Sequence, residues 1–272
     1  MTRRLTRPGI LALAATVTLL VGCSPAGPDG ARASAGAVEL AVFAAASLRD
    51  ALAAVTTEYE ATSPGVRITL STDASSSLRA QIEQGAPADL FLSADQAEPE
   101  ALVSAGLTDG PALTFAGNTL ALIVPHDNPA RLTGPRDLAR PGLKIVAAGD
   151  KVPITAYARQ VVARLASLPG YPAGFAADYD ANVVSREQNV RAVLARIELG
   201  EADAALVYRT DGLASHLVQM VELPAQAAVQ VAYAGVVLKS SSEPVAARAF
   251  LDWLAGPAGT MVLAGFGFLA PR

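Results

Sequence analysis

The sequence predicts an α/β fold of two lobes, each a mainly parallel sheet flanked by helices. Strand-like and helix-like segments alternate from Val38 to the C-terminus, the pattern that parallel strands joined by crossover helices require. Two strand-like stretches, 118–124 and 229–238, flank a central block of about 110 residues, and the segments outside that block are each too short to close a core alone. One lobe is therefore discontinuous, 38–117 plus 235–272, and the other, 118–234, is inserted in it. The chain crosses between them twice, a double-crossover hinge suited to closing on a ligand.

The elements follow in order. Short apolar runs at 38–43, 66–70, 89–92, 120–124, 144–147, 204–208 and 229–238 read as strands. Between them, 48–59, 78–84, 154–167, 190–199 and, after Pro244, 245–254 read as helices. Trp253 shares an apolar helix face with Ala249, Phe250 and Leu254, which predicts core packing.

Of the 272 residues 51% are hydrophobic and 17% charged, so burial can offset the ordering entropy and disorder is excluded. One cysteine excludes an internal disulfide and thiolate metal clusters. A pI near 5.3 with scattered Lys and Arg argues against nucleic acid as a partner, since phosphate binding needs a concentrated basic face. No Walker motif is present, so ATP hydrolysis would belong to a partner.

Arg3, Arg4 and Arg7 precede an apolar run from Ile10 to Val21, which reads as a signal peptide over 1–22, too short for a permanent membrane span. Leu20-Val21-Gly22-Cys23 resembles a bacterial lipobox, which implies cleavage before Cys23 and a lipid anchor on its thiol. Cleavage would remove three arginines and no acids, taking the net charge from −4 to −7. Residues 23–37, rich in Ser, Pro, Gly and Ala, then form a flexible linker with a reach of roughly 20 Å. The expected location is the outer face of the cytoplasmic membrane or the periplasm.

Several helices begin directly after strands with hydroxyl or turn residues. Ser47 is expected as the N-cap of the first helix, a serine cluster at 75–77 opens the second, Pro153 sits at the start of the third, and Asn189 is expected to cap the fourth. Each helix start leaves backbone N–H groups without internal partners and carries partial positive charge, so several together can hold an anion without Lys or Arg. Such ligands sit outside the carboxyl ends of the strands. Any one of these caps taken alone also reads as an ordinary cap, and the triple serine as a polar turn.

Together the segments 42–48 (Val-Phe-Ala-Ala-Ala-Ser-Leu), 74–77 (Ala-Ser-Ser-Ser) and 85–91 (Gly-Ala-Pro-Ala-Asp-Leu-Phe) resemble the periplasmic molybdate-binding proteins of ABC importers. The similarity runs on through 117–120, Val152-Pro153, Asn189-Val190-Arg191, Leu206-Val207-Tyr208 and 265–268. The resemblance implies a type II-like periplasmic binding protein, a monomer that delivers molybdate or tungstate to the transmembrane subunits of a permease. It implies no enzyme activity and no cofactor, molybdenum entering only as the bound oxyanion. Carried over motif by motif, it assigns hydroxyls to Ser47, Ser75 and Tyr208 and backbone N–H donors to Ile154 and Val190. Ser76 is the alternative to Ser75, and Thr155 an additional hydroxyl. The family commonly has a smaller Ala-Gly pair where this chain has Val-Pro-Ile-Thr.

Charge-assisted hydrogen bonds are worth about 1.5–3 kcal/mol each, so five to seven of them suffice for micromolar affinity, about −8 kcal/mol. A pocket of donors only also rejects a protonated anion, whose proton would find no acceptor. Asp73 is therefore expected to point away. Sulfate or phosphate binding by the same fold is the nearest alternative. Arg49, Arg79 and Arg191 read as solvated helix-surface residues rather than carboxylate clamps. An exported serine hydrolase is the alternative of another class, with Ser47 as nucleophile, but the Gly-x-Ser-x-Gly elbow is missing and His126 and His216 are the sole candidate bases.

Overall fold

The computed structural model describes residues 37–271. The expected signal peptide, Cys23 and the linker up to residue 36 lie outside the described residues. In chain order the elements are β1 (Val38–Ala45), α1 (Arg49–Thr62), β2 (Val66–Asp73), α2 (Ser75–Glu83), β3 (Leu90–Ser93), α3 (Ala97–Ser104), β4 (Leu113–Pro125), β5 (Ile145–Ala148), α4 (Pro153–Ala166), α5 (Phe175–Ala181), β6 (Val183–Glu187), α6 (Val190–Glu198), β7 (Ala205–Tyr208), α7 (Arg209–Ala214), β8 (Val218–Val221), β9 (Gln230–Val237), α8 (Pro244–Ala255) and α9 (Pro257–Gly265). Every predicted strand and helix is present. The sequence reading missed β6, β8, α3, α5, α7 and α9, and it started β4 seven residues late. These are short elements, and α3 carries Pro99 in its first turn, so their periodicity is weak.

Burial explains the placement. All four residues of β3 are buried, as a central strand covered on both faces demands. Helix α1 buries Ala51, Leu52, Val55 and Tyr59, and α6 buries Val190, Val193, Leu194 and Ile197, one stripe each at helical spacing. Trp253 packs edge-on against Tyr59, with ring centroids 5.2 Å apart, as its apolar face predicted.

The larger sheet has the strand order β2-β1-β3-β9-β4-β7, with β8 also paired to β4. β1 runs parallel to β2 and β3, the geometry a crossover helix imposes, while β9 is antiparallel to both β3 and β4. β4 pairs with β9 from Leu113 to Thr119 and then changes partners, pairing antiparallel with β7 from Leu120 to Ile123 and with β8 from Leu122 to Pro125. β5 and β6 are parallel, and a bridge between Ile145 and Ala204 ties them to the β7 end. Through β4 the larger sheet is continuous, β5 and β6 form a second sheet of two strands, and the pairing is parallel at the flanks and antiparallel around β4 and β9. These two strands are extended segments and not helical returns, so they pair antiparallel. No helix among the described residues is long and apolar enough to cross a membrane.

At the corner between α8 and α9, a Cβ on Gly259 would lie 2.3 Å from the Leu254 carbonyl oxygen and 2.5 Å from its Cα. Backbone cannot yield there as a side chain would. Gly259→Ala is expected to destabilise the fold by about 1–3 kcal/mol, read as a lowered midpoint in urea unfolding; an unchanged midpoint would show that the corner is not rigid.

Candidate functional site

The carboxyl ends of β1, β2 and β7 and the starts of α2, α4 and α6 meet around a cavity lined by Ser47, Asp73, Ser75, Ala94, Val190 and Tyr208, with Val152 and Pro153. Its volume of about 10 Å³ is near the size of a single water. Its walls come from segments far apart in the chain, from Ser47, Asp73 and Ser75 to Val190 and Tyr208.

Three hydroxyls surround it, and each is buried. Ser47 lies in a short 3₁₀ turn, Ala46–Leu48, between β1 and α1, and it does not cap α1 as expected. Its Oγ is instead 3.0 Å from the Tyr233 hydroxyl. Ser75 is the first residue of α2, and its Oγ accepts the Ala94 N–H at 3.1 Å. That bond takes up an acceptor position on Ser75 and leaves its own proton free to be donated. Tyr208 ends β7, and its buried hydroxyl has no hydrogen-bond partner among the described residues. Burial pushes this phenol well above its ordinary pKa, with Tyr233, Tyr157, Asp95 and Asp211 adding to the effect, so it remains a proton donor.

Backbone donors come from two helix starts. Val190 is the first residue of α6, whose cap Asn189 accepts the Ala192 N–H at 3.0 Å as the sequence predicted. Pro153 and Ile154 open α4, so the Ile154 N–H falls where no intrahelical acceptor exists. The Ile154 side chain is buried and lines a separate small cavity with Tyr179 and Leu206, not the one between the serines. Thr155 is turned away as well, with its hydroxyl donated to the carbonyls of Ala148 and Gly149 at 3.0 and 2.8 Å. Ser76 lines a wider outer cleft of about 740 Å³ with Arg79, Lys151 and Glu187.

Asp73 is among the residues that line the cavity, and its Oδ1 is engaged there by the Ala74 N–H and by Asn189 Nδ2, both at 2.8 Å. Arg191 is no solvated surface residue. Its guanidinium bridges from α6 to Asp50 on α1, and its Nε lies 3.2 Å from Asp211 Oδ1. The N–H of that second contact is misdirected, so neither buried Asp211 oxygen accepts a well-formed hydrogen bond. Burial pushes the Asp211 carboxyl up to about 7 against the pull of Arg191 and the Tyr208 backbone. Asp211, Asn118 and Tyr233 were not singled out from sequence. Each reads as an ordinary residue of its segment, and only the packing makes it a neighbour of the site.

A catalytic reading of Ser47 fails on geometry: its hydroxyl partner is a phenol, and His126 and His216 are both exposed. Buried hydroxyl and N–H donors gathered around one small cavity suit the binding of an anion. Residues 40–269 match the family model for the bacterial extracellular solute-binding proteins, and the chain belongs to that family. Among curated relatives, the molybdate-binding protein ModA of Mycobacterium tuberculosis is 36% identical over 249 residues, covering 91% of this chain and 89% of its own. Among solved structures, the periplasmic molybdate-binding protein of Azotobacter vinelandii has a TM-score of 0.71 at 23% identity, covering 86% of this chain and all of its own. The sulfate-binding protein SubI of Mycobacterium tuberculosis has a TM-score of 0.74 at 21% identity, covering 85% of this chain and 86% of its own. These two structures share the fold.

Because the folded-state pKa of Asp211 lies above its ordinary value of 3.8, the folded chain holds this proton longer than the unfolded chain does. Its contribution to stability is fully present below about pH 4 and is lost as the pH rises to about 7. Urea unfolding from about pH 5 to 8 should therefore show wild type losing stability relative to Asp211→Asn up to about pH 7 and then levelling. A pH-independent difference between the two proteins would mean that Arg191 keeps the carboxylate charged throughout.

Proposed function

We propose that this chain captures molybdate or tungstate as the fully deprotonated tetrahedral oxyanion and passes it to the transmembrane subunits of an ABC import permease. One observation carries the reading: the buried Tyr208 hydroxyl has no hydrogen-bond partner among the described residues, and Tyr208 stands in the same wall as Ser47, Ser75 and the start of α6. A buried unpaired hydroxyl costs about 1–3 kcal/mol, and an oxyanion accepting its proton removes that cost. Ser47, Ser75 and Tyr208 supply O–H donors, Ile154 and Val190 supply N–H donors, and the anion's charge is met by dipoles and helix ends. Molybdenum enters only within the bound anion, and no other cofactor is part of the proposal.

The relatives named for molybdate support the choice of ligand, and the family supports an extracytoplasmic binding role without catalysis. Anchoring through a lipid on Cys23, action as a monomer at the outer face of the cytoplasmic membrane or in the periplasm, and lobes of 38–117 plus 235–272 and 118–234 that open and close about β4 and β9 belong to the same proposal. Sulfate is the second reading, because the likeness to SubI shows that this fold also serves a protein named for sulfate.

Titration calorimetry with molybdate, tungstate, sulfate and phosphate tests the ligand. Heat with molybdate or tungstate is expected, and tight sulfate or phosphate binding without molybdate heat refutes it. Ser47→Ala and Tyr208→Phe should each cost about 1.5–3 kcal/mol of anion affinity, roughly ten- to a hundredfold in Kd. Unchanged affinity in Tyr208→Phe would place the anion elsewhere.

A further inference from the structure

We propose that Tyr233 is a positioning residue that sets selectivity: its hydroxyl donates to Ser47 Oγ and so turns the Ser47 proton into the cavity. The proposal deepens the oxyanion reading and rests on it. Tyr233 does not line the cavity, so its effect passes through Ser47.

The direction of the proton chain follows from its far end. Asn118 lies on β4 beside the point where that strand changes partners. Its Oδ1 accepts the Thr119 N–H at 2.8 Å, which settles which end of the amide is oxygen. Its Nδ2 therefore faces Thr210 Oγ1 at 2.9 Å and the Tyr233 hydroxyl at 3.4 Å. Tyr233 receives a proton from that side, and the other hydrogen-bond neighbour of its hydroxyl is Ser47 Oγ at 3.0 Å. If Ser47 donated instead, the phenol proton of a fully buried tyrosine would have no acceptor, which costs free energy. Tyr233 donates and Ser47 accepts.

The ring cannot swing out of this arrangement. It is held edge-on by Tyr208, Phe268 and Phe115, with centroids 5.6, 5.4 and 6.2 Å away. Burial also raises the Tyr233 phenol well above its ordinary pKa, so the proton is retained. With an acceptor position filled from behind, Ser47 has its single proton left to offer, and it lines both this cavity and a wider cleft with Asp50 and Arg191. Ser75 is arranged in the same way by the Ala94 N–H, but there the donor is backbone and no side-chain substitution removes it. A fully deprotonated oxyanion meets two hydroxyls already turned to donate. A hydrogen phosphate meets the same two donors and must find an acceptor for its own proton.

Calorimetric titration of the full chain with molybdate and with inorganic phosphate, in wild type, Tyr233→Phe, Ser47→Ala and the double variant, tests this. Tyr233→Phe keeps the ring and releases Ser47, so molybdate affinity should fall about three- to tenfold, with a smaller loss for phosphate, and the ratio between the two anions should narrow. In the Ser47→Ala background the same substitution should change neither affinity. Asn118→Ala, which unfixes the direction of the chain one link further back, should narrow the ratio too. Full additivity of Tyr233→Phe and Ser47→Ala, or an unchanged ratio in both Tyr233→Phe and Asn118→Ala, overturns the proposal while leaving the oxyanion reading in place. A wild-type protein that gives no heat with either anion removes the reading and this proposal together.

Discussion

Holding an anion without a cation requires hydroxyls that have one use left for their hydrogens. A serine offers one proton and two lone pairs, and nothing in the side chain itself decides whether it donates or accepts. In this protein the decision is made behind the cavity. The Ala94 N–H occupies Ser75, Tyr233 occupies Ser47, and burial keeps the Tyr208 phenol protonated. The donor character of the site is therefore a property of the packing that surrounds it, and that packing is rigid because close-packed interiors are.

Closure is the second half of the same problem. The cavity has walls from distant parts of the chain, and polar contacts join those parts around it. Asn189 joins α6 to Asp73 while its Oδ1 caps the same helix, so a single amide both ties α6 to the end of β2 and satisfies an N–H at the helix end beside the cavity. Arg191, two residues further on, reaches Asp50 and is backed by the buried Asp211. A carboxylate in the wall of an anion site would repel the ligand, and Asp73 is tolerable there because two donors share its Oδ1.

Much of this was legible beforehand. The alternation of strands and helices, the Pro153 start of α4 and the Asn189 cap are local chemistry, and they reappear at the predicted places. The apolar stripe of α1 and the Leu90-Phe91-Leu92 run of β3 encode their own burial, because side-chain periodicity depends only on backbone geometry. The resemblance in motifs located Ser47, Ser75, Val190 and Tyr208, which line one cavity.

What the chain determined by itself was the set of local preferences: which segments are strands or helices, where helices begin, and which residue types stand at those starts. Tertiary structure alone decided that Ser47 is a partner of Tyr233 and not a helix cap, that Asp73 accepts from Asn189, that Arg191 pairs with Asp50, and that β4 pairs first with β9 and then with β7 and β8. Each of these joins residues distant in sequence, as with Ser47 and Tyr233, which are 186 positions apart. Hydrogen-bond direction and burial depend on every neighbour in space, and a linear pattern carries no record of those neighbours until the chain has packed.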